Sequence, residues 1–279
     1  MAEKEKQYWS MTEGVFNCLI DEERSKAFEK AINNIVKKGD VVVDMGTGSG
    51  ILAMFAVKAG AKKVYAIELD KNNIATLRAI FEVNKMSDKI IIIQGDVTKV
   101  DLPEKVDVII GEMIATALID ELQVPATNNM LRFAKEKTRV LLREYRTFVD
   151  LVYNNENYHN LSFNLFRYEY PDLKKLRSIS LSDKHLIYTA DFTKINNNLK
   201  VNREIEVKIK KAGILNGIRL SGETLFDDGS KLGATFAYDY PIILPIDTIP
   251  VKRGDSFEIS LSYKICGGMK TLKYSLHKK

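Results

Sequence analysis

VVVDMGTGSGILAMFAVKAGAKKVYAIELD, residues 41–70, is the stretch whose reading decides the fold. It opens on three β-branched residues, Val41 to Val43, a short apolar run with the character of a buried strand. The run ends at Asp44, and glycines follow on alternate positions, Gly46, Gly48 and Gly50. Ile51, Leu52, Met54, Phe55 and Ala59 then make an apolar helical pattern that Gly60 stops. A second strand, Val64 to Ile67, delivers Glu68 at its end. Strand, glycine loop, helix and strand thus fit within one short segment. Glycines let the backbone approach a ligand without Cβ clashes, and a carboxylate after the second strand can accept both hydroxyls of a ribose.

The glycine spacing alone leaves the nucleoside open. Counted from Gly46, the dinucleotide pattern G-x-G-x-x-G needs glycine where Ile51 stands; counted from Gly48, its third place is Ala53, a tolerated variant. A phosphate-binding G-x-x-x-x-G-K-[ST] loop does not occur. The acid ahead of the glycines separates the readings. Asp44 would repel a pyrophosphate and suits an ammonium-bearing ligand, so D-x-G-x-G-x-G followed by Glu68 points to S-adenosyl-L-methionine.

Upstream, Ala27, Phe28, Ala31, Ile32, Ile35 and Val36 form a helical stripe, predicting a helix over 22–38 with Asp21 as its N-cap. Arg24 opposes the dipole in the first turn. It is either a surface arginine or one held to meet a ligand carboxylate. Tyr8, Trp9 and Phe16 precede this helix and either cover a ligand or pack on the helix. Downstream, a helix over 71–83 leads to a buried strand, Ile90 to Ile93, ending at Gly95-Asp96-Val97. In a parallel sheet Asp96 shares an edge with Asp44 and Glu68, where it can accept an adenine amine or close the turn. A further strand, Val106 to Ile110, runs into Gly111-Glu112-Met113. Next comes a helix with Leu118, Ile119 and Leu122, resuming beyond Pro125, and then a strand over 138–142. The β-α alternation predicts a parallel sheet with helices on both faces.

Past residue 147 the apolar period shortens to two, as in Phe257, Ile259, Leu261, Tyr263 and Ile265. Turn signals at Asn216-Gly217, Asp227-Asp228-Gly229, Arg253-Gly254-Asp255 and Gly267-Gly268 separate the strands. The expected fold is α/β: a Rossmann-like domain over 1–147 with a parallel-rich sheet, then an antiparallel β-barrel or β-sandwich domain over 148–279.

Composition narrows the functions. Of 279 residues, 45% are hydrophobic, and no apolar run is long enough to span a membrane. The charged start MAEKEKQYWS lacks a signal core, so a cytoplasmic protein is expected. Cys18 and Cys266 are the only cysteines, in no metal-ligand spacing. The net charge of +5 lies wholly in the second half: residues 1–147 carry 22 Lys and Arg against 22 Asp and Glu. That surplus is small for a polyanion-binding surface.

These residues resemble the class I S-adenosylmethionine-dependent methyltransferases and, within them, the protein arginine methyltransferases. Asp21-Glu22-Glu23-Arg24 is similar to a helix motif whose arginine contacts the methionine carboxylate. DMGTGSGILAMFAVKAGAKKVYAIE is similar to the cofactor motif, and VTKVDLPEKVDVIIGEM to the two motifs after it. Glu112 and Glu121, nine apart, match the spacing of the family's double-glutamate loop. The resemblance implies cofactor contacts at Arg24, Asp44, Gly46, Gly48, Gly50, Glu68, Asp96 and Val97. It implies catalytic roles for Glu112 and Glu121, and a dimer arm at about 154–178. Two features depart from the pattern. Tyr238-Asp239-Tyr240 stands where the family has Thr-His-Trp, and Tyr8-Trp9 is a short version of its N-terminal Tyr-Phe motif.

The implied acceptor is an arginine, or a related cationic nitrogen, in a protein or peptide. Two carboxylates can grip a guanidinium by fork-like hydrogen bonds and draw charge from the attacking nitrogen. In one straight helix, nine residues would separate the pair by about 13 Å, so the segment must bend for both to reach one group. Asp239 is a possible third acid. The alternatives are an RNA, whose amino methylases usually show Asn/Asp-Pro-Pro-Tyr where Gly111-Glu112-Met113-Ile114 stands here, a small-molecule amine, and a scaffold that binds cofactor without turnover.

Overall fold

The structure is a computed structural model that describes residues 13–279. Tyr8 and Trp9 lie outside the described residues. Five strands form a parallel sheet: β1 (Val41–Met45), β2 (Lys63–Glu68), β3 (Ile90–Gln94), β4 (Val106–Gly111) and β5 (Ala134–Val140). Their order is β3-β2-β1-β4-β5. The chain builds outward from β1 through β2 to β3, then returns to lay β4 on the other side of β1. That reversal creates a crevice at the carboxyl ends of β1 and β4, the usual ligand position in open α/β sheets. β1 is buried along its whole length, as its run of valines requires.

Met45 and Gly111 are register partners at this crevice. Gly111 has φ 134°, and a Cβ there would lie 2.6 Å from the Met45 carbonyl oxygen. Only glycine lets the chain leave β4 so close to β1. The glycine loop after β1 and Glu112 after β4 are neighbours for this reason.

α1 (Glu13–Ile20) and α2 (Glu22–Ile35) precede the sheet. Asp21 caps α2 by accepting from the Arg24 amide at 3.0 Å, and Phe28, Ala31, Ile32 and Ile35 face the core. The helix ends three residues before the expected Lys38, because Val36 is already extended at φ −77° and ψ 132°. α3 (Ile51–Lys58) and α4 (Asn73–Val83) connect the first strands.

The expected helix through Leu118, Ile119 and Leu122 is absent. In its place a single 3-10 turn, Thr116–Leu118, contains left-handed Ala117 at φ 60° and ends on left-handed Leu118 at φ 54°. The α-helix begins only at α5 (Gln123–Met130). Pro125 falls in its first turn, where a missing N–H costs nothing, and interrupts no helix.

The chain leaves the parallel sheet at Val140 and enters β6 (Leu142–Tyr153), which runs through residue 147. β6 pairs antiparallel with His185–Asp191 and with the long strand Gly213–Phe226, which pairs in turn with Ile242–Val251. A second antiparallel sheet joins Lys200–Lys208, Ser256–Lys264 and Lys273–Lys278. Gly229, Gly254 and Gly268, at φ 83°, 97° and 82°, occupy three of the expected turns. Asn216-Gly217 does not make a turn. It forms a bulge inside Gly213–Phe226, where the buried Asn216 side chain is spent on the Asn154 backbone. One hydrophobic core, from Phe28 to Ile265, runs continuously beneath both regions. Among the described residues no helix is long and apolar enough to cross a membrane.

Candidate active site

The glycine loop is shaped by contacts close in sequence. Gly46, Gly48 and Gly50 are all left-handed, at φ 62°, 54° and 81°. A Cβ on Gly50 would lie 2.6 Å from the Phe81 ring. The Thr47 amide donates to the Ile67 carbonyl and the Gly50 amide to the Thr47 carbonyl, both at 2.8 Å. Asp44 is 1% exposed, and the Thr47 hydroxyl donates to it at 2.6 Å. Burial raises its pKa to about 7, against the pull of Thr47 and the Ala53 amide. Asp44 therefore braces the loop from inside and does not present an open carboxylate to an ammonium, as the sequence had suggested.

Glu68 is buried beside the loop and accepts from the amides of Gly48 at 3.2 Å and Asp70 at 2.9 Å and from Asn73 Nδ2 at 3.3 Å. A carboxylate offers about four acceptor positions, so three are in use. The bonds to Gly48 and Asn73 are the long ones, and ribose hydroxyls can replace them. Asn73 also donates to the Gly48 carbonyl at 2.8 Å, a contact the sequence reading did not anticipate. Asp96 lies past the end of β3, where the Thr98 hydroxyl and amide donate to it at 2.7 and 3.0 Å. Burial acts to raise its pKa, but Thr98 and Lys99 outweigh that and hold the carboxyl below its ordinary value. Val97 is buried, and its carbonyl accepts from Asn129 Nδ2 at 2.9 Å.

Arg24 is not a surface arginine. It is 5% exposed, lies 5.0 Å over the Phe28 ring, and donates from Nη2 to Glu112 Oε2 at 2.5 Å and from Nη1 to the Cys18 carbonyl at 3.1 Å. Its Nε is buried without a partner. Nε and the second Nη2 proton form one edge of the guanidinium, the edge that a carboxylate fits in bidentate fashion. This orphaned donor, beside a glycine cradle and a ribose-type glutamate, suits the methionine carboxylate of S-adenosyl-L-methionine.

Glu112 keeps a second bond, from the Ile114 amide at 2.6 Å. Glu121 carries a pKa raised to about 8, first by burial and then by the Glu112 charge. The Glu112 charge is thus felt at Glu121, which places the two glutamates in one region of the site.

What bends the loop between them comes from distant parts of the chain. The Thr116 hydroxyl donates to the Tyr240 carbonyl, and the Ala117 amide donates to Tyr145 Oη at 3.0 Å. The amides of Cys266 and Gly268 donate to the carbonyls of Leu118 and Ile119, each at 2.8 Å. Met269 N donates to Asp120 Oδ1 at 3.2 Å. Asp21 adds a tie from α2: its Oδ2 accepts from the Ala237 amide at 2.7 Å and from the Thr235 hydroxyl. Asp239 does not face the open site as a third acid. It is 4% exposed, turned inward and bonded to Tyr145, with burial raising its pKa to about 7. Tyr145 and Thr116 carry no local motif that would have marked them, and Gly268 was marked only as a turn.

Comparison with known proteins places this geometry. A family model described as ribosomal protein L11 methyltransferase (PrmA) matches residues 27–140. The chain is 35% identical over 263 residues to the uncharacterized protein MJ1452 of Methanocaldococcus jannaschii, covering 94% of this chain and 95% of that one. It is 41% identical over 107 residues to the histone-arginine methyltransferase CARMER of Anopheles gambiae, or 38% of this chain and 17% of that protein. With a probable protein arginine N-methyltransferase 6.1 of Oryza sativa it shares 36% over 154 residues, 52% of this chain and 39% of the other. The chain thus spans well under half of those two arginine methyltransferases. Among solved structures, the Trypanosoma brucei PRMT1 enzyme-prozyme complex with AdoHcy superposes with a TM-score of 0.78 at 19% identity, covering 95% of this chain and 92% of that chain. Arabidopsis thaliana protein arginine methyltransferase 10 superposes at 0.75 and 19%, covering 95% of both. Those likenesses establish the shared fold.

Proposed function

We propose a function from the premise that this chain belongs to the family of the Methanocaldococcus protein and is a class I S-adenosylmethionine-dependent methyltransferase: it methylates a guanidinium nitrogen of arginine in a protein or peptide. The observation that carries this reading is the glutamate pair, two acids on one bent loop beside a buried arginine, with Glu121 lifted to about 8. In this reading residues 1–147 hold the cofactor and residues 148–279 shape the acceptor side.

The bound cofactor supplies an electrophilic methyl group, and the protein aligns an acceptor nitrogen with it. Arg24 takes the carboxylate end through its free Nε edge. Glu68 takes the ribose, the three glycines admit the backbone to close range, and Asp44 braces them. Asp96 and Val97 border the adenine. Glu112 and Glu121 grip the guanidinium from two sides. A guanidinium has five N–H donors and no free lone pair on its conjugated nitrogens, so it must be polarised before it can attack. Two carboxylates hold the positive charge on the nitrogens they bond and leave density on the third. Glu121, raised to about 8 by burial, would take the proton that leaves the nitrogen as the methyl passes from sulfur to nitrogen and S-adenosylhomocysteine departs. Cation binding first drives off its existing proton, because an opposite charge favours the ionised form.

The test is transfer of labelled methyl groups to histones and to arginine-containing peptides, with acid hydrolysis of the product. Methylarginine is expected. Glu112→Gln and Glu121→Gln should each lower single-turnover rates by roughly a hundredfold or more, with the double variant little worse, because groups acting as a unit are not additive. Cofactor affinity by calorimetry should survive Glu121→Gln, whereas Glu112→Gln, which removes the charge paired with Arg24, should weaken it as well. Label recovered on another acceptor, or a near-normal rate in Glu121→Gln, would overturn the arginine reading.

A further inference from the structure

The corner between the two glutamates is built from conformations that residues with a Cβ seldom adopt. Ala117 and Leu118 are consecutive left-handed residues, and across from them Asp239 is left-handed too, at φ 53°. A hydrogen-bond relay joins the two places. The Ala117 amide donates to Tyr145 Oη at 3.0 Å, and the Tyr145 hydroxyl donates onward to Asp239 Oδ1 at 2.6 Å. Tyr145 is fully buried and Asp239 nearly so. Asp239 Oδ2 has no partner.

Room for this relay has been made by removing a side chain. Gly222, in the strand Gly213–Phe226, lies against it, and a Cβ there would sit 1.9 Å from Tyr145 Oη and 2.3 Å from Asp239 Oδ2. A buried carboxyl with one oxygen unsatisfied is expensive where packing is the sole aim, since apolar groups of the same shape would do as well. The relay also lies within reach of the site's field: the Glu112 charge acts on both Asp239 and neighbouring Tyr238.

We propose that Tyr145 and Asp239 are positioning residues for methyl transfer: Asp239 orients the Tyr145 hydroxyl, Tyr145 holds the Ala117 amide, and the corner so fixed turns Glu121 back toward Glu112. This rests on the reading of the glutamates given above. The acceptor oxygen of Asp239 fixes the first bond of the relay, and each bond polarises the next. Neither side chain touches the acceptor or the cofactor.

The experiment compares Tyr145→Phe, which deletes one hydroxyl, with Asp239→Asn, which keeps an acceptor oxygen for it. Three readouts are taken on the full chain: S-adenosylhomocysteine affinity, steady-state kinetics with an arginine peptide, and amide exchange over residues 112–122. In Tyr145→Phe, kcat should fall roughly 10- to 100-fold, the range expected for small misplacements of a catalytic group. S-adenosylhomocysteine affinity should stay within about twofold, and exchange at Ala117 should quicken by about tenfold or more as its bond is lost. Asp239→Asn should recover most of kcat. If Tyr145→Phe does not fold, Asp239→Ala, which leaves the hydroxyl in place without its anchor, gives the same comparison. Unchanged kcat, or a loss matched by lower cofactor-product affinity and a lower melting temperature, would overturn the proposal. Failure of the arginine reading looks different: the wild type would not methylate the peptide, and the kcat comparison would move to the acceptor it does use, with exchange at Ala117 still reporting the tether.

Discussion

The loops that follow β1 and β4 are neighbours in the sheet, yet they are held in opposite ways. The glycine loop satisfies its polar groups from nearby sequence: Asp44, Thr47, Ile67, Glu68 and Asn73 provide its partners. The glutamate loop takes its partners from Tyr145, Tyr240, Cys266, Gly268 and Met269, over a hundred residues away for all but the first. A loop that binds a common cofactor can be a self-contained unit. The loop that carries Glu112 and Glu121 is instead bent into a strained shape by contacts from the second region, so the two are fixed together.

Gly50→Ala should have the largest effect on this contrast. Its Cβ would meet the Phe81 ring at 2.6 Å in a backbone of φ 81°. Strain and overpacking together predict a loss of about 2–4 kcal/mol in denaturant unfolding, with cofactor binding abolished. Amide protection across 112–122 should persist in the folded fraction. Its selective loss there would show that the loops are not independently held.

Asp21→Ala should be milder and should act on both sides at once. Asp21 caps the helix of Arg24 and also receives Thr235 and Ala237 from the loop that carries Asp239. Loss of an N-cap costs about 0.5–2 kcal/mol. Cofactor affinity and the KM for acceptor should both worsen, and movement of one without the other would confine Asp21 to the capping role.

The smallest effect is a slope with pH. The Glu121 carboxyl is raised from 4.5 to about 8, chiefly by burial and then by Glu112. The folded protein therefore holds this proton more tightly than the unfolded chain. Its contribution to stability is complete below about pH 4.5 and is lost as the pH rises toward 8. Asp44 and Asp239, each raised to about 7, act with the same sign but finish earlier. Glu121→Gln should remove the decline in melting temperature between about pH 7 and 8 and make it shallower between about pH 4.5 and 7, where Asp44 and Asp239 still contribute. An unchanged profile would place Glu121 in a wetter setting than its burial implies.

The legibility of the molecule follows the same division. The strands around the glycine loop could be read because β-branched runs, left-handed glycines and a capping aspartate act within a few residues of themselves. Arg24 was conspicuous because it stood against its helix dipole, and its pairing with Glu112 accounts for that position. The segment 113–122 misled because Leu118, Ile119 and Leu122 have helical spacing. Helix would have satisfied the same amides and carbonyls that Tyr145, Cys266 and Gly268 satisfy instead. Asn216-Gly217 misled in the same way, since a dipeptide suited to a turn is equally suited to a bulge once Asn154 is there to receive it.

The sequence by itself determined the parallel sheet, the left-handed glycine loop with an acid at the end of the next strand, the class of cofactor and the antiparallel character of the second half. The elements follow from periodicity and backbone freedom and the cofactor class from the acids that flank the glycines, all of them properties of residues near one another in the chain. The tertiary structure alone decided that Arg24 meets Glu112, that Asp239 turns inward onto Tyr145, and that the glutamate loop bends. Those outcomes depend on which donors and acceptors find partners, and in the glutamate loop the partners lie as far as 149 residues apart, as Asp120 and Met269 do.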